Sequence, residues 1–187
     1  QGWRDTRYGG RISATLDDVG FGQSLSLGTG TFFVNPGANG CGPTGEILVR
    51  VDSVSQQMLA GTPLAFLDPG SAGYRFDARV CGRETMARLE AGTVAAGTMP
   101  LGNVVIGFGY GGIDVSATLS FLGSDFRLRG SVDRGVVRLS TIDDITIAGK
   151  TLAGGRVSVV LRPDSVAGRL RGYVTIAGRR FEIEHSF

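Results

Sequence analysis

Histidine, lysine and tryptophan each occur once in this chain, cysteine twice and proline six times, and the scarcity of histidine and cysteine excludes a class of chemistry. With His185 as the sole histidine, neither a histidine-rich metal site nor a two-histidine zinc site can be built within one chain. Two cysteines without close CxxC spacing do not make up the shortfall. Neither Asp pair, Asp17-Asp18 or Asp143-Asp144, sits in a loop of calcium-binding pattern. No metal and no cofactor are therefore expected. No GxSxG, HExxH, SxxK or P-loop pattern occurs, and the adjacent Asp pairs read as turn residues that bond their own backbone amides. The expectation is that the chain is not an enzyme.

Other absences bound the partners. Net charge is only +2 with acids and bases interspersed, so there is no basic field to hold a phosphate backbone, and nucleic acid is not an expected partner. No apolar run reaches the roughly 18 residues that a membrane helix needs. Membrane association stays open and is not predicted.

What the chain has in excess is glycine. It holds 31 glycines in 187 residues, with 42% hydrophobic content; average usage is about 7% glycine. Without a Gly-X-Y period this is not collagen, and the hydrophobic content is too high for a disordered chain. Glycines then serve as turns, bulges and close approaches in a sheet.

Period-two alternation supports this reading along most of the chain. Arg11 to Leu16 sets Ile12, Ala14 and Leu16 on one face. Gln23 to Leu27 resumes the pattern, Gly28-Thr29-Gly30 is expected to break it, and Thr31 to Val34 follows. Glu46 to Val54 alternates Ile47, Val49 and Val51 with Leu48, Arg50 and Asp52. Leu64 to Leu67 and Tyr74 to Val80 are further strands. Arg83 to Ala91 reads equally as one short helix or as a strand with Thr85, Ala87 and Leu89 on a face. Thr93 to Asn103 reads as a loop between two halves. Beyond it, Val104 to Phe108, Ile113 to Phe121, Phe126 to Val132, Val136 to Ile142, Ile145 to Ala148, Arg156 to Leu161, Leu170 to Ala177 and Phe181 to Phe187 are all strand-like. The expected fold is all-β and antiparallel, a sandwich or jelly-roll-like arrangement with Gly-rich turns. It forms one domain over residues 1–187, with room for an internal duplication into halves of about 1–98 and 99–187. The duplication rests on Tyr8-Gly9-Gly10 leading to Ser13-Ala14-Thr15-Leu16, and Tyr110-Gly111-Gly112 leading to Ser116-Ala117-Thr118-Leu119.

Cys41 and Cys81 are expected to form a disulfide. Closing a loop of about 40 residues would contribute on the order of 4 kcal/mol in the chain-entropy account. A disulfide, and numbering that begins at Gln1 rather than Met, favour an extracytoplasmic site: secreted, periplasmic or cell-surface.

Gly107-Phe108-Gly109-Tyr110-Gly111-Gly112 matches GxGxxG spacing, but a dinucleotide motif must open a helix. Ile113 onward reads as a strand, so the match is expected to be a hairpin. His185 shares a strand face with Phe181, Ile183 and Phe187 and is expected to be a packed or interfacial imidazole.

Two functional expectations follow. The first is a non-enzymatic structural or assembly subunit, partnered with itself or other surface proteins. Its assembly strands would be the terminal ones: Ile12, Ala14 and Leu16 at the front, Phe181, Ile183 and Phe187 at the back. The second is a monomeric module that binds a small molecule or glycan on a face holding Tyr110, Tyr173 and Arg171. The alternating Phe181, Ile183 and terminal Phe187 also resembles the closing strand of bacterial outer-membrane β-barrels, over about seven residues. That resemblance implies a small barrel as a third, minority reading.

Overall fold

Apolar–polar alternation becomes extended backbone throughout the computed structural model, which describes residues 8–16, 25–35, 40–41, 45–82, 84–147 and 149–187, with backbone alone described at 8–16, 25–29, 32 and 58. The strands are β1 (Tyr8–Leu16), β2 (Leu25–Asn35), β3 (Glu46–Val54), β4 (Leu67–Asp68), β5 (Tyr74–Cys81), β6 (Glu84–Ala96) and β7 (Met99–Gly109). They continue as β8 (Gly112–Phe121), β9 (Ser124–Asp133), β10 (Val136–Thr141), β11 (Ile145–Ile147), β12 (Lys150–Leu161), β13 (Val166–Ile176) and β14 (Arg179–Ser186). Single 3-10 turns at Gln56–Leu59 and Gly70–Ala72 are the helical content among the described residues.

Every pairing is antiparallel, and strand order follows chain order from β1 to β14, with β4 and β11 attached off the path. The result is one open meandering sheet, sandwich-like rather than crossed over in the manner of a jelly roll. Its tightest hairpins carry a residue followed by glycine, both at positive φ: Leu122-Gly123 (51° and 71°), Arg134-Gly135 (47° and 79°) and Ala177-Gly178 (49° and 76°). Two such angles make the turn whose twist matches that of the flanking strands.

The register sorts side chains into two faces. The inner face carries Val51, Leu89, Ile106, Val115, Leu128, Leu139, Val159 and Leu170, each at most 4% exposed, and no charged or polar side chain is buried among the described residues. The sheet curls so that this face meets itself. Phe121 at the end of β8 stacks on Phe187, ring centroids 4.6 Å apart, and a Cβ built on Gly97 in the β6–β7 turn would lie 3.6 Å from Val166 at the start of β13. Burying this apolar face is the main stabilising term, since each fully buried Leu, Ile or Val contributes roughly 1.5–3 kcal/mol.

Three expectations are corrected and one left open is decided. Gly28-Thr29-Gly30 does not interrupt the chain, because β2 runs through it and Gly30 faces Val51 of β3. A Cβ at Gly30 would stand 2.7 Å from the Arg50 carbonyl, so this glycine permits close strand approach. Of the two readings open for residues 83–91 the strand holds: from Glu84 they form the start of β6, with Ala87 opposite Ala78 and Leu89 opposite Phe76. Thr93 to Asn103 is not a loop, because Ala96 pairs with Met99 in the β6–β7 hairpin. Leu64 to Leu67 is mostly turn, with Leu67 alone entering β4. Asp17-Asp18 and Trp3 lie outside the described residues, as do the side chains of Ile12, Ala14 and Leu16, whose backbone forms β1 against β2.

Candidate functional site

The last strand ends the sheet with one edge unpaired among the described strands. β14 bonds β13 on one side, with Gly168 and Phe187 exchanging both backbone bonds at 2.7 and 3.0 Å. Pairs of this kind alternate along an antiparallel ladder. By the same register, Leu170–His185, Gly172–Ile183, Val174–Phe181 and Ile176–Arg179 are the bonded pairs. The N–H and C=O groups of Arg180, Glu182, Glu184 and Ser186 consequently point outward, and no described strand pairs with that edge.

The side chains of this edge are divided by face. Phe181, Ile183, His185 and Phe187 belong to the inner face, but Phe181 is 50% exposed and Ile176 of the neighbouring strand 61%. Arg180, Glu182 and Glu184 stand on the outer face. Arg180 pairs with Glu182 at 3.1 Å and lies 3.9 Å over the Tyr173 ring. Glu184 pairs with Arg169 and, at 3.5 Å, with Arg171. The imidazole of His185 stacks 5.6 Å from Phe121 but stays exposed, so it is not packed into the core as one of its two expected placements would have it. Beneath β14 lies an apolar cleft of about 510 Å³, bounded by Leu122, Ile147, Leu152, Val174 and Ile183, with Lys150 at its rim.

A second concavity, about 930 Å³, runs across the outer face from β2 to β8. Cross-strand register builds it in rows. One row sets Phe33 opposite Leu48, Leu48 opposite Arg79 and Arg79 opposite Met86. Phe33, Leu48 and Met86 are 43%, 38% and 48% exposed, an apolar line on an otherwise polar face. The next rows are ion-paired: Arg50–Asp77 at 2.5 Å, Arg75–Asp77 at 3.2 Å, Arg88–Glu90 at 2.5 Å, Arg79–Glu46 at 2.6 Å, and Arg75 with Glu90. Asp77 first through its hydrogen bond and then through its charge holds the Arg50 guanidinium pKa above its usual value. Gly107 leaves the floor open beside Asp114, whose carboxylate oxygen would stand 2.5 Å from a Cβ there. At the rim, the buried amide oxygen of Asn35 has no hydrogen-bond partner among the described residues.

Sequence reading did not find this groove. Its signal is the charge order of Arg75, Asp77 and Arg79 against Arg88 and Glu90. That order is legible only once Cys81 to Glu84 is taken as a hairpin turn, a reading that the helix alternative for 83–91 obscured.

The other expected site residues are dispersed. Tyr110 projects fully into solvent from the β7–β8 turn, so Gly107 to Gly112 closes a hairpin rather than opening a helix. Tyr173 and Arg171 share the outer face of β13 near Arg180 and Glu184, and neither they nor Tyr110 line the two concavities. Cys41 and Cys81 are bonded, with Cα atoms 4.4 Å apart, a bond compatible with an extracytoplasmic location. No group of three or more potential metal ligands occurs among the described residues. Comparison with protein-family models, with curated proteins and with solved structures yields no match, so the geometry itself carries the functional reading.

Proposed function

We propose that this chain is a non-enzymatic structural or assembly subunit of an oxidising, extracytoplasmic compartment, and that it associates by adding a strand to the free edge of β14. The observation that carries this reading is the outward row of peptide groups at Arg180, Glu182, Glu184 and Ser186, flanked by half-exposed Phe181. Unpaired edges template strand addition. The outer-face charges of β14, Arg180, Glu182 and Glu184, are already ion-paired within the sheet, so they do not bar an incoming strand as isolated charges would. The apolar face is turned inward and the charged face outward, the reverse of a lipid-embedded barrel.

The test is the native mass by light scattering in detergent-free buffer, against a chain mass of 19.6 kDa, for the unchanged protein and for Glu182→Pro. Proline at 182 removes an outward N–H and leaves the β13 ladder intact. The expected result is an assembly that Glu182→Pro reduces to monomer without loss of the β-sheet circular dichroism signal. A monomeric unchanged protein at high micromolar concentration overturns the reading.

The outer groove favours a second reading, a ligand-binding module. Its apolar row, bordered by ion-paired Arg and Asp side chains, suits a flat, partly apolar small molecule or glycan. Saturable binding abolished by Met86→Asp would support it, whereas a screen without hits in which the protein still assembles would set it aside.

A further inference from the structure

We propose that the occupant of the β14 edge is the β14 of a second copy, joined across a two-fold axis at Phe181; this rests on the edge-addition reading above and specifies its partner. Two antiparallel edges bond only when outward-facing residues oppose each other. The outward set is Arg180, Glu182, Glu184 and Ser186, so the register is fixed by which residue sits on the axis. With Arg179, Arg180, Glu182 or Glu184 on the axis, a charge faces its own copy. With Ile183 on the axis, Glu182 faces the partner's Glu184 twice. An axis at His185 offers as many facing outward groups as one at Phe181 but sets Glu184 against the partner's Ser186 and joins no opposite charges, and an axis beyond it leaves fewer facing groups.

An axis at Phe181 meets none of these objections. Arg180 then opposes the partner's Glu182, Glu182 opposes the partner's Arg180, and Phe181 opposes the partner's Phe181. Both charged side chains are well exposed, 60% and 76%, so each can reach across. Opposite charges and paired aromatics are the favourable cross-strand combinations, and like charges directly opposed are destabilising. The half-exposed Phe181 ring and the exposed Ile176 gain apolar cover on the same face. A two-fold contact closes on itself. Addition of β1 from a neighbour would instead continue as an open series, because β1 and β14 run antiparallel at opposite ends of the sheet.

The axis supplies its own test. In this register Phe181 opposes its copy in a pair without mutual backbone bonds, where Cα atoms stand about 4.5 Å apart, inside the roughly 4.4–6.8 Å range of disulfides. Phe181→Cys is expected to give a covalent dimer under mild oxidation on a non-reducing gel, and Ile183→Cys is not. Arg180→Glu is expected to weaken the dimer roughly tenfold, since both cross-axis pairs become repulsive, and the double change Arg180→Glu with Glu182→Arg restores it. A dimer by light scattering that cross-links through Ile183→Cys and not Phe181→Cys overturns this register while edge addition stands. Open-ended assemblies that respond to Glu182→Pro but not to the charge variants overturn the second-copy β14 contact in favour of β1. A monomer at all concentrations, without cross-linking, overturns both.

Discussion

Glycine at Gly130 and glycine at Gly168 do different work although both face tight surroundings. A Cβ at Gly130 would fall 1.6 Å from the Arg138 carbonyl oxygen on the next strand, whereas at Gly168 it would meet the Phe187 ring at 2.0 Å. Backbone cannot yield without separating β9 from β10, but a ring at the end of the chain can swing aside. Gly130→Ala is expected to cost about 3 kcal/mol or more, and Gly168→Ala about 1 kcal/mol with loss of the Phe121–Phe187 stack. Urea unfolding of the two variants measures the contrast. Neither position is marked in the sequence as different from the other glycines, because the clash depends on a partner strand.

At the scale of the element, bulges decide which face a strand presents. In β3 the buried residues pass from Val51 to Val54, and in β12 from Leu152 to Val157, with register shifts between Val51 and Val54 and between Ala153 and Arg156. Each inserted residue inverts the inward set. Ser53 (φ 105°) and Gly154 (φ 60°) take the left-handed backbone at these points. In the β6–β7 pair Ala91 faces Val104 and Val94 faces Leu101, all buried, so both strands invert together around Gly92, Gly102 and Asn103. Period-two alternation fails there, which is why residues 93–103 resemble a loop when read along the chain. The Cys41–Cys81 bond acts on the same scale. It ties the segment before β3 to the end of β5 across a sequence separation of 40, and its reduction is expected to cost on the order of 4 kcal/mol by loop-closure entropy. Thermal melting with and without reductant tests this. A shift of less than about 2 °C would mean that the loop stays closed without the bond.

For the whole molecule, alkali is the informative perturbation. Tyr74 is fully buried at the start of β5, and its hydroxyl donates to the Leu67 carbonyl oxygen at 3.1 Å. Burial, and secondarily the charge of Asp68, pushes its phenol pKa well above the ordinary value. An acid whose pKa is raised by folding stabilises the fold fully below the unfolded value, about 10 for tyrosine, and loses that contribution as pH rises beyond it. Stability of the unchanged protein should therefore fall above about pH 10, and Tyr74→Phe should flatten that fall. At neutral pH the same change costs about 1 kcal/mol for the lost hydrogen bond. Denaturant midpoints at pH 8 and pH 10.5 for both proteins decide the matter, and parallel losses would place the alkaline sensitivity elsewhere.

Local composition and period determined the strand-rich, antiparallel character, the disulfide partners and the segregation of apolar from charged faces. Those properties depend on neighbours in the chain and on residue type: alternation writes the face, glycine writes the turn, and two cysteines leave one intramolecular pairing. Only the tertiary structure decided that residues 84–96 extend rather than coil, since Leu89 finds Phe76 and Ile106 on either side. It also decided that Tyr110 and Tyr173 stay apart while Phe33, Leu48 and Met86 line one groove, and that β14 ends the sheet with its outer edge unpaired among the described strands. Each of these rests on strand register and on the curl of the sheet, which bring together residues far apart in sequence through hydrogen bonds that no single strand can encode.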